Sequence, residues 1–331
     1  MRDSFVDVGI IRATLQLACR APSLHNSQPW RWVLDGNVVQ LFVDPDRVVR
    51  STDSSGREAL LGCGAVLDHF RVAMTAAGWT ANVDRFPNPN NADHLASIDF
   101  SPSEFVTEGH RRRAEAILLR RTDRLPFAAP QDWDLFESEV RSSLDEQSVR
   151  LSVIADELRP ELARASDLTE SLRMYDSSYH EELLWWTTGD ATSSEGIPRE
   201  SLVSAAESDR VLNRSFPVTP DSHRRPEIGE DHSKILVLST FDDARDSVLR
   251  CGEALSALLL DATMADLATC PVTHLMEVPA GRTVVAELSG GPHPQVLVRL
   301  GLAPAVAEVP PPTPRRPIDE VFHVRPNTTQ G

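Results

Sequence analysis

The stretch RAPSLHNSQPWRW, residues 20–32, crowds Ser23, His25, Asn26, Ser27 and Gln28 together and closes on Pro29-Trp30-Arg31-Trp32. Strands rarely carry so many amides, and helices exclude an interior proline, so the whole stretch reads as a loop. Asn26 and Gln28 each offer a donor and an acceptor on one amide, the alternation that a planar heterocycle with a uracil-like edge needs. Ser23 suits a polyol or ring oxygen. Trp30 and Trp32 either pack beside an aromatic ring or anchor the loop in the core.

Two further motifs carry positive charge. In RRTDR, Arg120 and Arg124 stand four apart and share a face if the segment is helical, with Arg121 and Thr122 between them. Guanidinium forks beside a hydroxyl suit a phosphate, whose oxygens accept several charge-assisted hydrogen bonds. In PRRP, residues 314–317, Arg315 and Arg316 reach the same anion if the tail folds back. An amide-rich loop, neighbouring indoles and an Arg/Thr cradle together describe a site for flavin mononucleotide (FMN).

The elements that must position these groups follow from periodicity. Val8, Ile11, Leu15 and Ala18 form a helical stripe over 5–20. The spacing predicts a strand over 37–44, a buried helix over 56–79, and strands over 80–87 and 94–102. A helix then spans 110–127, ending near Pro126 and carrying the Arg motif. The pattern continues with a strand over 148–156, one long helix over 159–188, a strand over 233–240, a helix over 247–269 and a strand over 294–304. The tail, 308–324, is Pro-rich and extended. Cys63-Gly64 and Cys251-Gly252 mark matching points in two helices of the same apolar rhythm, so the chain divides into lobes 1–110 and 111–331. The segment 187–231 interrupts the second lobe and reads as a lid-like insertion with one helical stretch.

Composition excludes several classes. The 331 residues are 41% apolar and carry a formal net charge of −16, which opposes nucleic-acid and acidic-membrane partners. The four cysteines, 19, 63, 251 and 270, form no CxxC pair and read as buried apolar residues; no metal site is expected. No apolar run reaches the roughly 20 residues of a membrane span, and no export signal opens the chain, so a cytoplasmic protein is expected. GCGAVL lacks the third glycine of a dinucleotide fingerprint, and HEELLWW lacks the second histidine of a zinc-protease helix. No residue is singled out as catalytic.

APSLHNSQPW resembles the PS..N.QPW loop of the FMN-dependent nitroreductase superfamily, and LLRRTDRLPF resembles its RRS.R.F phosphate-binding segment. LATCPVTH and TPRRPIDEVFH resemble the segment after its central helix and its C-terminal Arg-Pro tail. The order covers nearly the whole chain and is most similar to the Acg branch. The resemblance implies an α+β fold of two fused nitroreductase-like lobes, an intrachain pseudo-dimer with one FMN site; a monomer is expected, with pairing of two pseudo-dimers as the alternative. It implies Ser23, Asn26, Gln28, Pro29 and Trp30 at the flavin, with Arg31 and Trp32 following. Arg120, Arg121, Thr122 and Arg124 would meet phosphate and ribityl, joined by Arg315 and Arg316. The backbone N–H near Thr273 would face flavin N5. The implied partners are NAD(P)H and a small nitroaromatic or quinone acceptor. His274 stands where many relatives have glycine, and the insertion could cover the ring. The alternative is therefore a protein that sequesters FMN with little turnover.

Overall fold

Helices and strands alternate along the chain to build two sheets. The structure is a computed structural model that describes residues 5–188, 193–211, 216, 220, 222–304 and 311–326. The first half holds α1 (Val8–Ala18), β1 (Trp30–Asp35), β2 (Val38–Val43), α2 (Arg57–Ala76), β3 (Trp79–Arg85), β4 (His94–Pro102) and α3 (Glu108–Leu119). The second holds α4 (Trp133–Ser143), β5 (Arg150–Ile154), α5 (Arg159–Arg173), α6 (Ser177–Thr187), α7 (Ala205–Ser208), β6 (Lys234–Thr240), α8 (Arg245–Met264), β7 (Ala268–Val272), α9 (Pro279–Ser289) and β8 (His293–Gly301). The tail ends in α10 (Ile318–Val321) and β9 (Phe322–Val324). The class is α+β, as expected.

The first sheet runs β3-β4-β2-β1-β9 and the second β5-β6-β8-β7. Without β9, and reading the second sheet from β7, the two orders coincide, and every neighbouring pair among these eight strands is antiparallel. In each sheet a 20-residue helix, α2 or α8, links the second strand to the third. The tail strand crosses to the first sheet, where β9 pairs in parallel with β1 at Trp32↔Phe322.

α2 and α8 cross at their Cys-Gly pairs. A Cβ built on Gly64 would sit 2.0 Å from the Leu249 carbonyl oxygen, and one on Gly252 would sit 2.2 Å from that of Leu61. Only hydrogen fits at either position, so the glycines let the two backbones touch. The main core surrounds this crossing and draws on both sheets: Trp30, Trp32 and Leu41 from the first, Leu236, Leu238 and Val298 from the second. Alternate residues of β6, Ile235 and Val237, face a second core with Phe127 and Val272. A sheet buried on both faces explains the unbroken apolar run in β6.

Several elements differ from expectation. Trp30–Trp32 is strand, not loop: β1 and β2 close on a two-residue turn in which Gly36 has φ +61°, a conformation glycine adopts without strain. The Arg-bearing helix stops at Leu119 because the next residues turn extended; Thr122 bridges Thr269, and Asp123 N–H donates to the Thr269 carbonyl. Arg120 and Arg124 therefore share no helical face. The long helix over 159–188 is two helices, broken where Asp176 caps α6 by accepting from Tyr179 N–H. Helices α4 and α9 were not anticipated.

Candidate functional site

The loop after α1 is held in a costly conformation. His25, Asn26 and Gln28 have φ of +49°, +59° and +51°, and none is glycine. Each costs about 1 kcal/mol or more, so the surroundings must impose the shape. Ser23 Oγ accepts from Gln28 N–H at 2.9 Å and closes the loop on itself. Gln28 Nε2 donates to the Ser194 carbonyl at 2.8 Å, and its Oε1 accepts from Arg316 N–H at 2.9 Å. Asn26 Nδ2 donates to the carbonyls of Gly196 and Pro314, both at 3.1 Å. The two amides thus pin the insertion and the tail to the loop, while Asn26 Oδ1 is buried without a partner.

Beside this loop lies a cavity with about 820 Å³ of empty space, part of it open to solvent. Ser23, Leu24 and His25 form one wall, Thr122 and Arg124 a second, and Thr273 and His274 a third. Glu58, Leu61 and Gly62 of α2 line it as well, and Ile197 and Phe216 of the insertion border it. His274 Nε2 lies 2.7 Å from Ser166 Oγ on α5, which braces the turn after β7.

At the loop's root four arginines gather from three distant parts of the chain. Arg120 Nη2 donates to the Arg20 carbonyl at 3.3 Å, and Arg315 donates to the carbonyls of Cys19, Arg20 and Ala21. Arg120 is buried, and its Nε and Nη1 find no partner. Burial lowers the Arg120 pKa to about 10, helped by Arg121 and Arg20, with no carboxylate among the described residues opposing them. Arg315 is pushed down to about 9 by burial and then by Arg120 and Arg20. Elsewhere the chain pairs its buried guanidiniums, Arg299 with Asp231 at 2.7 Å and Arg225 with Asp123 at 2.6 Å, and half-buried Arg224 pairs with Glu207 at 2.7 Å. The four side chains therefore form a concentrated patch of positive charge. It adjoins the cavity through Pro22 and Ser23.

Of the residues implicated by sequence, Ser23, Thr122, Arg124 and Thr273 line the cavity. Asn26, Gln28 and the Arg316 backbone form the brace behind it. Arg120, Arg121 and Arg315 form the cluster. Pro29 accepts from the Cys63 thiol at 3.2 Å. Trp30 and Trp32 are core residues with no exposure, so the anchoring alternative holds for them. Arg31 points outward on β1 and stacks over Phe42 at 4.7 Å.

No family model matches the chain. Among curated proteins, the "Putative NAD(P)H nitroreductase acg" of Mycobacterium tuberculosis (strain ATCC 25618 / H37Rv) is 68% identical over 327 residues, covering 98% of each chain. The chain belongs to the Acg family. A more distant relative from the same strain, "Putative NAD(P)H nitroreductase Rv3131", is 37% identical over 97% of this chain and 93% of its own. Among solved structures, "a putative nitroreductase from anabaena variabilis atcc 29413" aligns with a TM-score of 0.42 and 11% identity over 89% of this chain and 73% of that one.

In this Acg-family chain, Arg20 was not among the residues implicated by sequence, because Arg12 and Arg20 are well separated and form no Arg-Arg-Ser cluster ahead of the loop. Its signal was position: it lies just past the C-terminus of α1, directly ahead of the amide loop. Glu58 was missed because α2 reads as a purely apolar core helix. Among the described residues, no helix is long and apolar enough to cross a membrane, and no group of three or more His, Cys, Asp or Glu is placed to hold a metal.

Proposed function

We propose that the protein is an FMN-binding flavoprotein of nitroreductase type, its two sheets being lobes of an intrachain pseudo-dimer that share one flavin site. The observation that carries this reading is the arginine cluster beside the cavity, built around buried Arg120, with no carboxylate paired to it among the described residues. A phosphate monoester brings about two negative charges and three acceptor oxygens, which suits Arg20, Arg120, Arg121 and Arg315. The Arg120 nitrogens that lack partners fit such a group. The ring then lies in the cavity between Ser23 and His25 on one side and Thr122, Arg124 and Thr273 on the other.

Bound FMN supplies hydride chemistry; the chain supplies placement and access. The relatives' names point to NAD(P)H as reductant, and the cavity's apolar wall of Leu61, Leu255 and Val296 suits a small aromatic acceptor such as a nitro compound or quinone. A second reading, sequestration of FMN with little turnover, is favoured by the insertion. Gln28 and Asn26 hold its 194–196 stretch shut, Arg47 pairs with Glu195, and Ile197 and Phe216 border the cavity. That segment acts as a lid over the flavin face.

Anaerobic addition of NADPH or NADH to the FMN-loaded protein separates the two. Rapid bleaching near 450 nm is expected of the reductase. Bleaching by dithionite alone identifies the sequestering protein. Failure to take up FMN sinks both.

A further inference from the structure

The arginine cluster has a neighbour that the reading above leaves unused. His69 on α2 has no exposure, and its Nδ1 lies 2.8 Å from Ser256 Oγ on α8. Ser256 Oγ in turn donates to Asp68 Oδ2 at 2.6 Å. Because the hydroxyl proton is committed to Asp68, Ser256 accepts from His69 Nδ1–H. That fixes the tautomer and leaves Nε2 as a bare acceptor. His69 Nε2 is buried and has no hydrogen-bond partner.

The charges acting on this ring are, in order, Arg120 and Arg315 of the cluster and Arg113 of α3, with the Ala65 carbonyl acting the other way from within α2. Arg113 is itself paired with Asp261 of α8. On the Asp68 side stand Arg71 of α2 and Glu253 of α8. Burial and the three arginines hold the His69 pKa well below its ordinary value, so the free protein carries a neutral imidazole. Burial raises Asp68 to about 6, leaving it mostly ionised at pH 7.5.

A merely structural histidine needs no bare, buried acceptor, and the strongest charges acting on this one are those of Arg120 and Arg315. We propose that His69 is a further phosphate-binding residue of the cluster, taking up one proton from solvent as the phosphate enters and donating Nε2–H to it. Asp68 and Ser256 are positioning residues that hold Nδ1 and receive the new charge. This rests on the assignment of the cluster as the FMN phosphate site. The physical cause is reciprocal. A phosphate dianion cancels the repulsion by Arg120 and Arg315, and the imidazolium that then forms adds a charge-assisted hydrogen bond.

The test is calorimetric titration of the whole wild-type protein with FMN at pH 7.5, in two buffers of different ionisation enthalpy. At that pH the phosphate is already a dianion, its second pKa being about 6, so it contributes little proton uptake of its own. Uptake approaching one proton per FMN is expected, with none for riboflavin, which lacks the phosphate. His69→Gln should abolish the uptake and weaken FMN binding roughly tenfold or more, with riboflavin binding unchanged. FMN binding without proton uptake would overturn this inference and leave the flavin site standing. Equal uptake with riboflavin, or undiminished uptake in His69→Gln, would overturn it too. If FMN does not bind the wild type at all, the functional reading falls and takes the inference with it. The wild-type comparison decides the matter even if the variant fails to fold.

Discussion

Arg120→Met will bind FMN about 10- to 100-fold more weakly than the parent, yet its FMN-free form will unfold at a higher temperature. The first half follows from losing charge-assisted bonds worth about 1.5–3 kcal/mol to a buried phosphate. The second half follows from the cost of an unpaired buried charge. Burial and neighbouring cations lower the Arg120 pKa from 12.5 to about 10. For a base whose pKa is depressed on folding, the charged form is disfavoured in the native state at every pH below that value. At about 1.4 kcal/mol per unit the penalty at neutral pH is about 3 kcal/mol. Methionine fills much of the same space without charge and forfeits only the bond to the Arg20 carbonyl, worth about 1 kcal/mol. The net gain of about 2 kcal/mol should raise the midpoint by a few degrees, read by differential scanning calorimetry of the FMN-free proteins. A variant that is less stable and binds FMN normally would show that Arg120 is a structural residue.

The helix crossing makes the second large prediction. In an ordinary helix, Gly→Ala stabilises by about 1 kcal/mol. At Gly64 and Gly252 the added methyl would overlap a carbonyl of the opposite helix at 2.0 and 2.2 Å, and the neighbour is backbone with no rotamer to yield. The helices must part, opening the main core that both sheets share. Each substitution should cost about 3 kcal/mol or more, and the pair should not fold stably. Gly229→Ala is the control: no atom lies within 4 Å of a Cβ there, so its midpoint in urea should not move. Equal midpoints for all three single variants would mean that the two helices do not touch.

What could be read from sequence was local. The amide loop, the Arg/Thr motif and the tail arginines announced themselves by composition; Ser23, Thr122 and Arg124 line one cavity, while Arg120 and Arg315 meet the backbone at the root of the loop. The matched Cys-Gly pairs were visible as a repeat, although their meaning, a contact between backbones, was not. What stayed hidden is non-local. Nothing near Asn26 or Gln28 says that their amides will bond to Ser194, Gly196, Pro314 and Arg316. Arg20 looks isolated until the fold brings positions 20, 120 and 315 together. The helix carrying the Arg motif ends early because β7 captures the backbone of Thr122 and Asp123, a tertiary contact that overrides helical spacing. Three signals were present and unread. Asp176 is a capping residue in the middle of an uninterrupted helical pattern, with neither Gly nor Pro to mark the break. Trp133, Phe136 and Val140 form the inward stripe of α4, and Pro279 opens α9 at the position where proline is welcome.

The central claim is that a phosphate belongs among Arg20, Arg120, Arg121 and Arg315, and the most direct measurement titrates the FMN-free wild type with FMN and riboflavin side by side, following flavin fluorescence. The ring and ribityl chain are common to both ligands, so the ratio of dissociation constants isolates the phosphate. FMN should bind at least about 100-fold more tightly, because two or more charge-assisted bonds in a buried site are lost with riboflavin. Equal affinities would contradict the assignment of the cluster.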